Sequence, residues 1–383
     1  MDEFCVAADF KTDTIDAYQQ LNDKYAHKAK VVETYGQMTI NNIVTGGRVH
    51  HDIPHIDILQ LENYIKYSKE RGIGFNYSLN GYCTGNMEFT RNGLECIYDF
   101  VKKLYNIGVT SVTVSSIAIL EMIKTMFPDI SVKVSIINQV NTINKLAQYK
   151  DFGVDCVVID ESVNRNFPLL KKMAKIMKIE LIANSLCSKD CIFRGHHYNQ
   201  TAHASLMNNE DQIITYYNYR CMLTRSQKDE NILKLCWIRP EDIHFYNDIG
   251  IYSFKLQGRH TVVNGKPVEV VKCYMERLYD GNLIELLEMF NTPYKFKVGL
   301  DNKKLNGFIE PFTATSFCNS DCNSCNYCEK FLKEHYAVAD FKNINSLATR
   351  FYNEMDEYKL ALDKLSKKKE EAEVFAWEDK NIV

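Results

Sequence analysis

Two short runs decide the fold: "SVTVSSI" at residues 111–117 and "SVKVSII" at residues 131–137. Both are rich in valine and isoleucine, too short for a helix, and separated by a segment long enough for one, which reads as strand, helix, strand. The same rhythm extends in both directions. Strands are expected at "KVVETYG" (30–36), "GFNYSLN" (74–80), "CVVIDES" (156–162), "IELIANS" (179–185), "LCWIR" (235–239) and "SFKLQGR" (253–259). Helix-period segments such as "ILQLENYIKYSKERGI", "LECIYDFVKKLYNIG" and "FPLLKKMAKIMK" lie between strands. Eight strands mostly separated by helices argue for a (β/α)8, TIM-barrel-like α/β fold. An open doubly wound sheet is the alternative, because a strand count does not prove closure.

Two intervals break the rhythm. Residues 186–234 form an insertion carrying Cys187, Cys191 and Cys221, and residues 260–330 end in "SFCNSDCNSCNYCEKF" (316–331). The expected division is a barrel over 1–259 and a C-terminal extension over 260–383, with a cysteine loop at 318–328 and charged terminal helices.

Composition narrows the class. With 383 residues, 45% hydrophobic, the chain can bury a large core, and a net charge of −3 gives no global basic field for nucleic acid. No apolar run reaches the roughly 18–20 residues of a membrane span, and "MDEFCVAADFK" lacks a signal-peptide pattern, so a cytoplasmic location and no membrane contact are expected. In a reducing cytosol, an odd count of 13 cysteines points to metal rather than disulfides.

The strongest motif is C-x3-C-x2-C-x2-C at Cys318, Cys322, Cys325 and Cys328. Two-residue spacings let neighbouring thiolates face one centre, and spacing alone leaves zinc and iron–sulfur equally open. Cys187 and Cys191 follow a strand directly, and Cys221 and Cys236 would complete a second set of four. Barrel chemistry gathers where strands end, which singles out Asp160, Glu161, Asn184, Arg239 and Arg259. Arg48 in "VTGGRVHH" and Arg194 in "CIFRGHH" add guanidinium forks suited to carboxylate or phosphate, while His197 and His203 are candidate proton donors. For each arginine, a structural salt bridge to Asp160, Glu161 or Glu241 is the competing reading.

The runs "LIANSLCSKDCIFRGHHYN", "WIRPEDIHFYNDIGIYSFKLQGR", "VTGGRVHHDIPHI" and "ESVNRNF", in that family's order, make residues 30 to 330 resemble the collagenase-like peptidase family, peptidase family U-thirty-two. Characterised relatives implied by the resemblance are iron–sulfur proteins that hydroxylate a quinone precursor or an RNA base without molecular oxygen, with prephenate implicated as oxygen source. The resemblance implies that Cys187, Cys191 and Cys221 ligate a 4Fe-4S cluster. Many relatives carry their fourth cysteine within the segment that reads "PEDIHFYNDIG" here and has none, so Cys236 stands in as the expected fourth ligand. It also favours a second 4Fe-4S cluster over zinc at the C-terminal loop. Arg239 and Arg259 would suit a dicarboxylate.

Three functions follow: an iron–sulfur hydroxylase acting on an RNA, a peptide or a metabolite; a peptidase; or a non-catalytic electron-transfer partner. Neither H-E-x-x-H nor G-x-S-x-G occurs, which weighs against the second.

Overall fold

The computed structural model describes residues 1–44, 46–47, 53–207, 213, 216–290, 298–314, 317–318, 321–322, 324–335, 338–339 and 341–380. Eight parallel strands close into a barrel in sequence order. They are β1 (Asp2–Ala7), β2 (Ala29–Gly36), β3 (Gly74–Leu79), β4 (Ser111–Val114), β5 (Ser131–Val134), β6 (Cys156–Val158), β7 (Ile179–Ile182) and β8 (Ser253–Leu256). The ring closes where β1 pairs with β8 through Glu3↔Ser253 to Val6↔Leu256. Closure selects the barrel over the open sheet.

The strand set differs from the expectation at two places. The first strand, "DEFCVA", begins two residues into the chain with two acids, and its apolar part is too short to stand out. The run "LCWIR" is not a barrel strand. Leu235 makes an isolated antiparallel bridge to Ser188, and the Ile238 amide donates to the Ala183 carbonyl at 2.8 Å. Its apolar character serves burial instead. Trp237 is fully buried with the Arg165 guanidinium 4.5 Å from its ring. The cysteine-bearing insertion therefore follows the seventh strand, not the sixth.

Alternation along the strands sends two kinds of residue to two sides. Phe4, Val112, Val114, Val132, Val134, Leu181 and Phe254 belong to the apolar core shared with the helices. Most of the opposite positions are polar, among them Asn76, Thr113, Lys133, Glu180, Ser253 and Lys255. Lys133 on β5 reaches Glu33 on β2 at 2.5 Å and Glu180 on β7 at 2.7 Å, contacts between non-adjacent strands that must cross the lumen. TIM-barrel lumens are usually filled by branched apolar side chains, so this ionic core is a departure. Burial opposes the charge on Lys133, but Glu180 and Glu33 outweigh it and hold its pKa well above the ordinary ammonium value. Cys5 completes a buried group with Glu33 and Glu180 whose ligand atoms lie within 4.8 Å of one another. These are metal-ligating types, but Lys133 already bridges both carboxylates and supplies their counter-charge.

Outside the barrel, Arg239 ties on the C-terminal part. Its guanidinium donates to both Asp242 oxygens at 2.9 and 2.7 Å and to the Asn302 carbonyl at 2.8 Å. Helices Phe341–Met355 and Glu357–Lys380 end the chain. Among the described residues, no helix is long and apolar enough to cross a membrane.

Candidate functional site

The carboxyl ends of the strands surround a cavity of about 60 Å³. Its floor is the uppermost lumen layer, Tyr35, Thr113, Val158, Ile182 and Lys255. Its walls come from Gly46 and Gly47 after β2, Asn80 after β3, Ser135 after β5 and Gln257 to Arg259 after β8. The helix Arg194–Met207 adds Tyr198 and Thr201, three residues apart and so on one helical face. Arg259 donates to the Gln37 side chain at 3.1 Å and to the Gly46 carbonyl at 2.6 Å. A Cβ on residue 46 would sit 2.3 Å from the Arg259 guanidinium and 1.8 Å from Gln37 Oε1, so a larger residue there would displace the ends of these two side chains. Gly258, at φ +146°, packs its backbone against the Phe290 carbonyl, where a Cβ would lie 1.4 Å away.

A second cavity, of about 420 Å³, lies between the barrel and the C-terminal loop. Cys236, Cys318, Cys322, Cys325 and Cys328 all line it, as do Glu161, Arg165, Lys189 and Lys234. The Lys189 ammonium reaches the Cys318 sulfur at 3.2 Å. Burial pushes the Cys328 thiol up to about 11, against the opposing pull of Arg165 and Lys234.

Cys187, Cys191 and Cys221 do not line that cavity. Cys191 stands just before helix Arg194–Met207 and Cys221 on helix Tyr216–Ser226, and the two thiols are close enough to shift one another. The neighbouring Cys221 thiol draws Cys191 down to about 6, and Cys191 in turn raises Cys221. Burial, then the Glu161 carboxylate, pushes Cys187 up to about 12. The Cys187 charge raises Cys221 and, in the same way, Cys236.

The remaining expected residues divide sharply. Arg259 is at the barrel mouth. Asn184 is not among its lining residues: its side chain bonds the Gln257 carbonyl and amide, both at 2.8 Å, and so extends the β7–β8 pairing. Arg239 serves the Asp242 anchor, a salt bridge as the competing reading had it, though to a different acid. Asp160 and Glu161 face Arg194, which donates to Asp160 at 2.5 Å and lies 3.5 Å from Glu161. Burial opposes the charge on Arg194, but Glu161, Cys187, Cys236 and Asp160 hold it firmly protonated. These acids thus brace the wall between the two cysteine groups. His197 packs against the Tyr217 ring, 5.2 Å between centroids, and neither it nor His203 lines the mouth. Arg48 lies outside the described residues.

Lys255 was missed in the strand-end search. The signal was present in "SFKLQGR": Ser253, Lys255, Gln257 and Arg259 alternate, which puts one polar face on a buried strand.

A sequence model of peptidase family U32 matches residues 48–289. The chain belongs to the U32 peptidase family. An uncharacterized protease of Methanocaldococcus jannaschii is 32% identical over 282 residues, covering 72% of this chain and 82% of that protein. The solved U32 peptidase Mk0906 aligns over 70% of this chain and 94% of its own, with 15% identity and a TM-score of 0.49. The matched residues span the first cysteine group, strands β3 to β8 and the barrel-mouth residues from Asn80 to Arg259, whereas Tyr35, Gly46, Gly47 and Cys318 to Cys328 lie outside them.

Proposed function

We propose that this U32 member is an iron–sulfur redox enzyme, an oxygen-independent hydroxylase or related modification enzyme working at the barrel mouth. The observation that carries the reading is the convergence of Cys187, Cys191 and Cys221 beside the helix whose Tyr198 and Thr201 line that mouth. A lone zinc held by four thiolates at about 2.3 Å draws the sulfurs to within about 4 Å of one another. Among the described residues no three cysteine sulfurs lie within 4.8 Å of one another, and five of them line an open cavity. A cavity of about 420 Å³ lined by five cysteines has room for a 4Fe-4S group. When bound, such clusters supply one-electron chemistry.

This chain's own residues supply the rest. Cys187, Cys191 and Cys221 would hold the first cluster, and Cys318, Cys322, Cys325 and Cys328 the second. Lys189, Lys234 and Arg165 offset the negative charge of thiolates in the second cavity. Arg259 and the polar rim orient the substrate. Prephenate is the oxygen donor to try first, with an RNA, a peptide or a metabolite as acceptor and a separate electron donor or partner enzyme in a reducing, cytoplasmic setting.

The test is anaerobic purification with iron, sulfide and zinc quantification. About eight irons per chain are expected, falling to about four in Cys191→Ala/Cys221→Ala and in Cys322→Ala/Cys325→Ala. Absence of iron from strictly anaerobic protein would reject the reading.

Peptidase activity is the second reading, favoured by the names of the relatives and by the lowered pKa of Cys191. A thiolate nucleophile needs a base to hold and reprotonate it. The groups that depress Cys191 are the Cys221 thiol, the Phe193 amide and two arginines, none of them a base. Hydrolysis of a labelled peptide that is lost in Cys191→Ser and unaffected by iron removal would restore this reading.

A further inference from the structure

Helices Arg91–Asn106 and Ile117–Met126 leave between them a surface groove of about 490 Å³ that shares no lining residue with the barrel mouth or the cysteine cavity. Leu94, Tyr98, Ala118, Met122 and Met126 make it apolar, and its charged lining residues, Glu88, Glu95 and Glu121, are all acidic. Glu88 accepts from the Thr84 and Ser116 hydroxyls. The carboxylates of Glu95 and Glu121 are exposed and meet no donor or cation among the described residues. Phe89, Leu94, Ile117 and Met126, in this lining or next to it in sequence, are large apolar residues left exposed. An apolar patch with a charged border is the mark of a docking surface.

The terminal helix Glu357–Lys380 carries the complementary pattern. Its start is anchored: Asp356 accepts from the Lys359 amide at 2.7 Å and from Arg220 at 2.6 Å, and the Tyr358 ring meets that of Tyr216 at 4.9 Å. Residues 362 to 369 are all exposed, so this stretch of helix stands clear of the body. A helix without packing is marginal in water, because most helical stability comes from burying an amphipathic face. Leu362 and Leu365, three positions apart, share one face and are uncovered in this chain. Lys368 flanks that face, with Lys364 one turn before it. Like charges at this spacing repel, and neither ammonium has an anionic partner among the described residues.

We infer that the chain forms a two-fold dimer in which the terminal helix of each copy docks in the groove of the other, Leu362 and Leu365 on the apolar lining and Lys364 and Lys368 against Glu95 and Glu121. A single copy leaves the acidic groove and the basic helix both open, and a second copy satisfies the two together. Laying an apolar helix face in a groove is a general mode of recognition. Exchanging two equivalent contacts about a two-fold closes the assembly, with no open surface for a third copy. The inference uses none of the cysteines and none of the mouth residues, so it stands independently of the proposed function.

The experiment is sedimentation equilibrium of the full chain over a range of concentrations, at low and at high salt. A monomer–dimer equilibrium that weakens with salt is expected. Glu95→Lys/Glu121→Lys should weaken dimerisation by roughly tenfold or more, as should Lys364→Glu/Lys368→Glu, because each sets like charges against one another in both contacts. Mixing the two variants should restore the dimer, since groove and helix are then opposite in sign at both contacts. All four positions are exposed, so the substitutions leave the fold intact. A monomer at every concentration would leave the groove to some other partner and overturn the inference. So would a dimer of unchanged strength in either variant, or no recovery on mixing.

Discussion

The Cys236 amide donates to the Cys187 carbonyl at 2.9 Å. Cys236 stands between the two cysteine sets: the Cys187 charge raises its thiol as it raises that of Cys221, and it also lines the cavity of the C-terminal loop. Asp160, Glu161 and Arg194 brace the wall between them. Residues 49 positions apart thus mark the boundary between a group on the barrel and one on the extension.

That boundary makes an additivity prediction. If Cys236 serves the C-terminal cavity, Cys221→Ala and Cys236→Ala should each reduce iron, and the double variant should lose more than either alone. Equal iron in the double variant and in Cys221→Ala would return Cys236 to the first group. Iron and sulfide assays on anaerobic protein read the difference.

Lys133→Met should destabilise the fold by about 3–5 kcal/mol, because it strands Glu33 and Glu180 as uncompensated buried charges. Urea unfolding measures this. Adding Glu33→Gln and Glu180→Gln to Lys133→Met should recover part of the loss, since the cost lies in the unpaired charges rather than in the missing ammonium.

Arg239→Ala should cost a similar amount, about 3–5 kcal/mol, by leaving Asp242 buried without its partner and freeing the Asn302 carbonyl. Substrate affinity, measured under conditions where the variant is folded, should be unchanged, in contrast to Arg259→Ala. A selective loss of affinity would mean that Arg239 touches substrate after all.

Stability should fall as pH rises above about 9. Burial pushes Cys156, which belongs to neither cysteine group, from 9.0 up to about 12. Over that interval the unfolded chain releases the proton and the folded chain keeps it, so the unfolded state binds fewer protons and stability declines with pH. Below pH 9 both states are protonated and the contribution is constant. Urea midpoints at pH 8 and pH 10.5 should differ less in Cys156→Ala than in the wild type.

Much of this was legible in the chain. The parallel barrel follows from short β-branched runs alternating with helical periods, and even the "LCWIR" misreading left the count at eight because β1 took its place. The cysteine spacings gave the two thiol groups, and Arg259 was visible as a cation after a buried strand. The strand-end rule overreached at Arg239 and Asn184, whose partners, Asp242 with Asn302 and the Gln257 backbone, depend on how segments pack.

By itself, then, the sequence determined what acts locally: strand and helix periods, the polar face of "SFKLQGR", and thiols spaced to share a centre. Tertiary structure decided which charges meet. Lys133 is 100 residues from Glu33 and 47 from Glu180, yet closure of the barrel puts all three in one lumen. The same closure leaves Lys255 at the mouth with a ring face and no adjacent carboxylate among the described residues. The reason is physical. Periodicity fixes which way a side chain points relative to its own strand, but a buried charge is paired or left available by what other strands bring across from it.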